Sequence, residues 1–274
     1  MLAGGLAILI VLFAVFAWQD GDGDGGGGPL NAIAAAAANT QDEGGGRAAM
    51  RGAITEPGSS EPLALTGKIV YDAADRSCGT LTMADPESGD PVKLEMVQEG
   101  TTIYMRSSQF GDLPDGREWM GLDIALGDEV DTSLPADGDA RGELEMLEKA
   151  FGGVEKVGKE EVRGVPTTHY RGKVSVAENV ERLREEGADN LASVVAEKGS
   201  PVRVEAWIDS DNLVRRMRIV ESTPGDEGEG PTTIDMRTDF FDFGFEPEID
   251  VPDSDEVFDA TSLAQEQLDA AGDE

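Results

Sequence analysis

Residues Thr101–Arg106 read TTIYMR, and within them Ile103 and Met105 alternate with Thr102, Tyr104 and Arg106. That period of two belongs to a strand with one buried and one solvated face. The same pattern recurs outward from it. LALTGKIVYD (Leu63–Asp72), GTLTMAD (Gly79–Asp85), VKLEMVQEG (Val92–Gly100) and REWMGLDI (Arg117–Ile124) are short, rich in β-formers, and separated by Gly, Pro and Asp. DPESGDP (Asp85–Pro91) has the composition of a hairpin loop. The stretch from Arg47 to Asp123 is expected to form one antiparallel meander.

Beyond it, helical and strand patterns alternate. Arg141–Phe151 places Leu144, Leu147 and Phe151 at helical spacing, and Ala177–Lys198 carries a stripe of Val180, Leu183, Leu191, Val194 and Val195. Gly187 weakens the second helix by about 1 kcal/mol relative to Ala. Between them, EVRGVPTTHYRGKV (Glu161–Val174) reads as strand. Val202–Asp209 and Leu213–Glu221 form a hairpin around Ser210, Asp211 and Asn212. Val202, Val204, Ala206 and Ile208 share one face of its first strand; Arg203, Glu205, Trp207 and Asp209 share the other. Thr232–Phe243 reads as the last strand, with Ile234, Met236 and Phe240 inward and Asp235, Arg237 and Asp239 outward. The expected class is α+β, a large antiparallel sheet with a few helices on one face. An apolar face covered incompletely is where a ligand is expected.

The N-terminal stretch LAGGLAILIVLFAVFAW (Leu2–Trp18) has no charge and no Pro, and QDGDGDGGGG (Gln19–Gly28) follows it. A helix over the first segment reaches about 25 Å, against about 30 Å of hydrocarbon. It is either a short spanning helix or a signal-peptide core. Val15 and Ala17 suit a cut after Ala17. No Lys or Arg precedes Arg47, so the positive-inside rule has almost nothing to act on. The rest of the chain is expected outside the cytoplasm. Gly21–Gly28 is a flexible tether. Pro29 then opens PLNAIAAAAANTQ, with Leu30, Ile33, Ala34 and Ala37 at helical spacing and Pro well placed in a first turn.

Fifty-six acidic residues face 22 basic ones, a net charge of −34. Such a chain repels nucleic acid and anionic membrane surfaces. The charge fits a hydrated surface adapted to high salt, which predicts stability rising with salt, or a cationic partner. The lone Cys78 excludes an intrachain disulfide framework and cysteine-rich zinc sites. His169 is the only histidine, and it sits in strand alternation rather than in a catalytic motif. No G-x-S-x-G, H-E-x-x-H or P-loop occurs. Asp20, Asp22, Asp24 and Gly25 mimic the start of a calcium loop, but Asn31 stands where a bidentate Glu is needed. No cofactor, metal or catalytic residue is expected.

The residues also carry a family resemblance. EGTTIYMRS (Glu99–Ser107), then LPDGREWM (Leu113–Met120) with Leu122 and Asp123, resembles the central hairpins of the LppX/LprAFG lipoproteins and their LolA-like relatives. VRGVPTTHYRG (Val162–Gly172), AWID (Ala206–Asp209), LVRR (Leu213–Arg216), Phe243, Gly244, Val251 and Pro252 are similar too. With the Pro29 helix, the resemblance spans residues 29–260. It implies a LolA-like half-open antiparallel β-barrel, a curved sheet whose concave face is covered by helices and holds acyl chains of a lipid or glycolipid outside the membrane. It also implies carriage of that lipid in the envelope. The chain departs from such lipoproteins in one respect: residues 1–30 contain no Cys to be acylated. A retained Leu2–Trp18 helix would replace that anchor.

The resulting expectation is four segments: a signal or anchor helix (1–18), a linker (19–28), a LolA-like lipid-binding domain (29–260) and an acidic flexible tail (261–274). The protein is read as non-catalytic and attached to the outer side of the cell membrane, with the sensory or interaction domain as alternative. Ile103, Met105, Trp119, Leu122, Tyr170, Val204, Ile208, Met217, Ile234, Met236 and Phe240 are the candidates for lining the cavity. The expected partners are acyl chains and the membrane, reached through the N-terminal helix. A basic protein belongs to the alternative, and nucleic acid is excluded.

Overall fold

The computed structural model describes residues 33, 36, 39–40, 43–59, 61–74, 76–84, 89–123, 154–174, 201–223 and 230–263. These build one open sheet of twelve strands. The strands are β1 (Gly46–Thr55), β2 (Leu63–Tyr71), β3 (Arg76–Ala84), β4 (Pro91–Glu99), β5 (Thr102–Arg106), β6 (Trp119–Asp123), β7 (Glu155–Val162), β8 (Val165–Val174), β9 (Val202–Ile208), β10 (Val214–Thr223), β11 (Thr232–Phe241) and β12 (Val257–Asp259). Their order is β12-β6-β5-β4-β3-β2-β1-β11-β10-β9-β8-β7. Two antiparallel meanders, β1–β6 and β7–β11, are thus joined where β1 pairs with β11. Only β12 pairs in parallel, with β6.

The expected α+β class is corrected by this architecture, because the described chain is almost all β. Its helical parts are Ile33, Ala36, Asn39 and Thr40, two short 3-10 turns, and Thr261–Leu263. The helices expected over Arg141–Phe151 and Ala177–Lys198 lie outside the described residues, as do Leu2–Trp18, the linker and the tail beyond Leu263. Among the described residues no helix is long and apolar enough to cross a membrane. The physical reason for the class is the period-two alternation, which runs through strand after strand. Part of the apolar face is filled by its own large side chains lying across neighbouring strands. Met236 is one: a Cβ on Gly52 would stand 2.0 Å from its Sδ.

The alternation in TTIYMR holds, with Ile103 and Met105 buried. The hairpin expected around Ser210–Asn212 joins β9 and β10. Its turn is held by Asp209, whose Oδ1 accepts from the amides of Asp211 and Leu213, both at 2.9 Å. Two boundaries differ. Glu161–Val174 is not one strand, because Arg163 and Gly164 take φ of 50° and 84° and fold β7 back on β8. A two-residue loop with both φ positive is the favoured hairpin turn, but Arg-Gly lacks the usual Asn or Asp signal. Thr232–Phe243 is not the last strand, since β12 follows it.

Of the Pro29 segment, Ile33, Ala36, Asn39 and Thr40 are among the described residues, while Leu30, Ala34 and Ala37 lie outside them. Ile33 and Ala36 are buried in the main apolar cluster, and Thr40 Oγ1 accepts the Val214 amide at 2.8 Å. The connection after β11 brings Ile249 against Val97 and Trp119 on the other side of the sheet.

Candidate ligand-binding face

Cross-strand registers place the larger set of apolar side chains on one face. Met105, Met96, Gly79, Ile69, Ala48 and Phe240 follow one another across β5-β4-β3-β2-β1-β11. The next row runs Leu94, Leu81, Gly67, Met50, Thr238, Met217 and Ala206. A third runs Met83, Leu65, Gly52, Met236, Ile219 and Val204. Every described methionine lies on this face. Met50, Met105, Met217 and Met236 are buried; Met83, Met96 and Met120 are half-buried. Methionine is unbranched and polarizable, and it adapts to irregular apolar shapes.

Of the sequence candidates, Tyr170, Val204, Ile208, Met217, Ile234, Met236 and Phe240 belong to the main cluster. Ile103, Met105 and Leu122 form a second cluster at the β5–β6 end. Leu94 and Met96 pack against both, so the apolar surface is continuous. Trp119 stands on the opposite face, against Val97 and Ile249 and under the Arg106 guanidinium at 4.5 Å. Met83, Met96, Met105 and Met217 also read from the sequence as suited to an adaptable apolar cavity, but Met50, Leu65, Ile69, Tyr71 and Leu81 of β1–β3 were missed. Leu63, Leu65, Gly67, Ile69 and Tyr71 alternate in the sequence and could have revealed them.

The apolar face has polar margins. Gln98, Ser77 and Tyr71 follow one another across β4-β3-β2 at one end, and on β5 and β6 the same row continues with apolar Ile103 and Leu122. Near the other end Glu221 pairs with Ile234, and burial raises its carboxyl above the usual range.

Over β7–β11 the opposite face is a lattice of ion pairs. Arg216 is bidentate to Asp239, at 2.6 and 3.0 Å, and Arg218 to Asp235, at 2.8 and 2.6 Å. Arg218 lies directly opposite Arg237, a repulsive pairing. It is relieved diagonally, since Asp235 takes Arg218 and Asp239 takes Arg237 at 3.3 Å. Glu205, buried, receives Arg171 Nε at 3.1 Å.

His169 is buried in this lattice and stacked on Trp207, with ring centroids 4.1 Å apart. Its Nδ1 is 3.1 Å from Glu160, which also accepts Trp207 Nε1–H at 2.8 Å. The Trp207 bond, with help from His169 and Arg216, lowers the Glu160 carboxyl pKa despite desolvation. His169 Nε2 is 3.2 Å from Glu205 Oε2, but off the line of a hydrogen bond. The imidazole is tied between carboxylates and an indole, an arrangement that holds strands together. Cys78 is half-buried on this side of the sheet, and burial, aided by Asp250, raises its thiol pKa, away from thiolate reactivity. Among the described residues no group of three or more His, Cys, Asp or Glu is placed to hold a metal ion.

No family model matches the chain. An uncharacterized 31.2 kDa protein of the rplA-rplJ intergenic region of Streptomyces griseus is 27% identical over 248 residues, 82% of this chain and 78% of that protein. Similar solved structures include proteins of the group the sequence resembles. Lipoprotein LppX of Mycobacterium tuberculosis is 17% identical with a TM-score of 0.45, over 81% of this chain and 97% of that one. LprF of Mycobacterium bovis is 13% identical with a TM-score of 0.38, over 81% and 96%. A LolA superfamily protein of Nitrosomonas europaea is 8% identical with a TM-score of 0.28, over 78% and 92%.

Proposed function

We propose that this chain is an extracytoplasmic binding protein for acyl chains of a lipid or glycolipid, held to the membrane by Leu2–Trp18 and working without covalent chemistry. The observation that carries the reading is the continuous apolar face with all its described methionines. Burial of each CH₂ contributes about 0.8 kcal/mol, so one long chain supplies ample binding energy if the surface is already shaped for it. Methionine lets that surface accept chains of different length and branching. The tight ion-pair lattice on the opposite face supports a stabilising role there, not a reactive one. Carriage of the bound lipid within the envelope is the role this reading favours.

Native mass spectrometry of the chain purified from its own host under lipid-retaining conditions tests the proposal. A discrete extra mass, released by organic solvent and identified as a diacyl or glycolipid species, is the expected result. A bare protein mass, with no uptake from added membrane extract, overturns it. A search for a basic protein partner would then take its place.

A further inference from the structure

Tyr71 ends β2 on the apolar face and is 8% exposed. Its ring meets Phe240 edge-on, with centroids 6.4 Å apart. Its hydroxyl lies over Gly46, where a Cβ would come within 2.4 Å of the oxygen. That oxygen is shut off from solvent and has no hydrogen-bond partner among the described residues. A buried, unpaired hydroxyl is disfavoured and needs an explanation. Burial, opposed by the nearby Arg215 charge, keeps the phenol neutral and able to donate. Arg215 itself is taken by the Asp209 carboxylate and lies over the Phe243 ring. Asp209 is thus engaged both by that guanidinium and by its own turn amides.

The position of the orphan is informative. Tyr71 stands in the polar row with Ser77 and Gln98, next to the row of Met105, Met96, Ile69, Ala48 and Phe240. An apolar surface ending in such a row matches an amphiphile that is apolar along its chain and carries an acceptor oxygen at its head end. We infer that Tyr71 Oη donates a hydrogen bond to the carbonyl oxygen of an ester-linked acyl chain, so that the face selects acyl esters over alkyl ethers. This inference rests on the reading that the face binds acyl chains. The ester carbonyl is a good acceptor, and an ether analogue lacks that oxygen. A site built to hydrogen-bond a group discriminates against an analogue without it, because its own polar atom is left unpaired.

The test is competition. The full chain is offered an equimolar mixture of dipalmitoyl phosphatidylcholine and its ether analogue, di-O-hexadecyl phosphatidylcholine, and the bound ratio is read by native mass spectrometry. The wild type should favour the ester about tenfold, the factor set by one net hydrogen bond. Tyr71→Phe removes only the unpaired hydroxyl, so it should fold, melt no lower than wild type, and bind both lipids equally. As a check independent of any variant, the infrared carbonyl band of the ester should move to lower wavenumber on binding to wild type. A wild-type ratio near one, or a preference kept by Tyr71→Phe, overturns the inference while leaving the acyl-binding reading standing. Uptake of neither lipid by wild type overturns the inference, and the acyl-binding reading falls with it when membrane extract also leaves the protein bare.

Discussion

Two arginine–aspartate pairs on β10 and β11 have nearly the same geometry and different burial, so they separate the effect of burial from that of contact. Arg216 and Asp239 have side chains 14% and 10% exposed; Arg218 and Asp235 are 37% and 38% exposed. Both arginines are bidentate. Arg216→Met keeps the aliphatic stem but leaves the Asp239 carboxylate with Arg237 alone, at 3.3 Å. Removing one partner of a buried pair destabilises by 3–5 kcal/mol, and the remaining Arg237 contact puts the expected loss near the lower end, about 3 kcal/mol. Arg218→Met should lose less than about 1 kcal/mol, because that pair is solvated and screened. With a urea slope of about 2 kcal/mol/M, the two midpoints should differ by roughly 1 M at pH 7. Molar salt should shrink the Arg218 loss and leave most of the Arg216 loss. Acid gives a second readout. Burial pushes the Asp239 carboxyl up, but Arg216 and Arg237 outweigh it, and its pKa lies below the usual value. The Arg218 hydrogen bonds lower Asp235 likewise. A lowered folded pKa contributes stability that is present above the unfolded value, here 3.8, and lost as pH falls through the folded one. The two variants should therefore converge toward wild type in acid. Equal urea midpoints at pH 7 would refute the argument that burial sets the worth of these pairs.

Three other perturbations probe the apolar face, and a fourth, at Gly158, is their control. Burial raises the Glu221 pKa, so its contribution to stability is full below the unfolded value of 4.5 and is lost as pH rises through the folded one. Glu221→Gln should therefore raise the melting temperature at pH 7 and give no gain near pH 4; a gain of equal size at both would contradict the desolvation account. Gly52→Val would place its Cβ 2.0 Å from Met236 Sδ and 2.9 Å from the Asp235 carbonyl. It should destabilise by roughly 1–3 kcal/mol. Gly158→Ala, with nothing within 4 Å and no positive φ, should stay within about 0.5 kcal/mol of wild type in the same denaturation series. Under mild peroxide, half-buried Met83, Met96 and Met120 should become sulfoxides before buried Met50, Met105, Met217 and Met236, and bound lipid should slow the first group. Peptide mapping that finds no lipid protection would count against the face as the binding surface.

The sheet was legible where each strand has one apolar and one polar side. β5, β9 and β11 follow this rule, and their inward residues could be named from the sequence. Trp119 shows its limit: alternation in a short strand gives two sets of residues, and a bulky aromatic does not announce which side faces the apolar cluster. The register with Tyr104 and Met105 decides it, and register is a tertiary fact. The turn at Arg163–Gly164 escaped because a non-Gly residue at positive φ is uncommon and Arg gives no warning of it. Burial of Glu205, His169 and Asp239 on the charged face was likewise invisible. Period-two reasoning assigns them to a face and leaves open that cross-strand ion pairs and the His169–Trp207 stack pack tightly enough to exclude water.

The two faces carry different kinds of specification, and the difference bears on function. On the charged face, partners are fixed by direction: bidentate forks and an indole N–H donor tolerate little sliding between strands. A one-residue slip between β10 and β11 would break Arg216–Asp239 and Arg218–Asp235 together and move Met217 and Ile219 off the apolar face. On the apolar face, unbranched methionines pack without strong directional demands. Register is therefore secured on the side away from the apolar clusters. The apolar side does not carry the directional contacts that fix strand pairing between β10 and β11. A surface of that kind suits ligands that vary in chain length better than one that must hold a reacting atom to a fraction of an ångström. Among the described residues, the buried polar atom this face leaves without a hydrogen-bond partner is the Tyr71 hydroxyl.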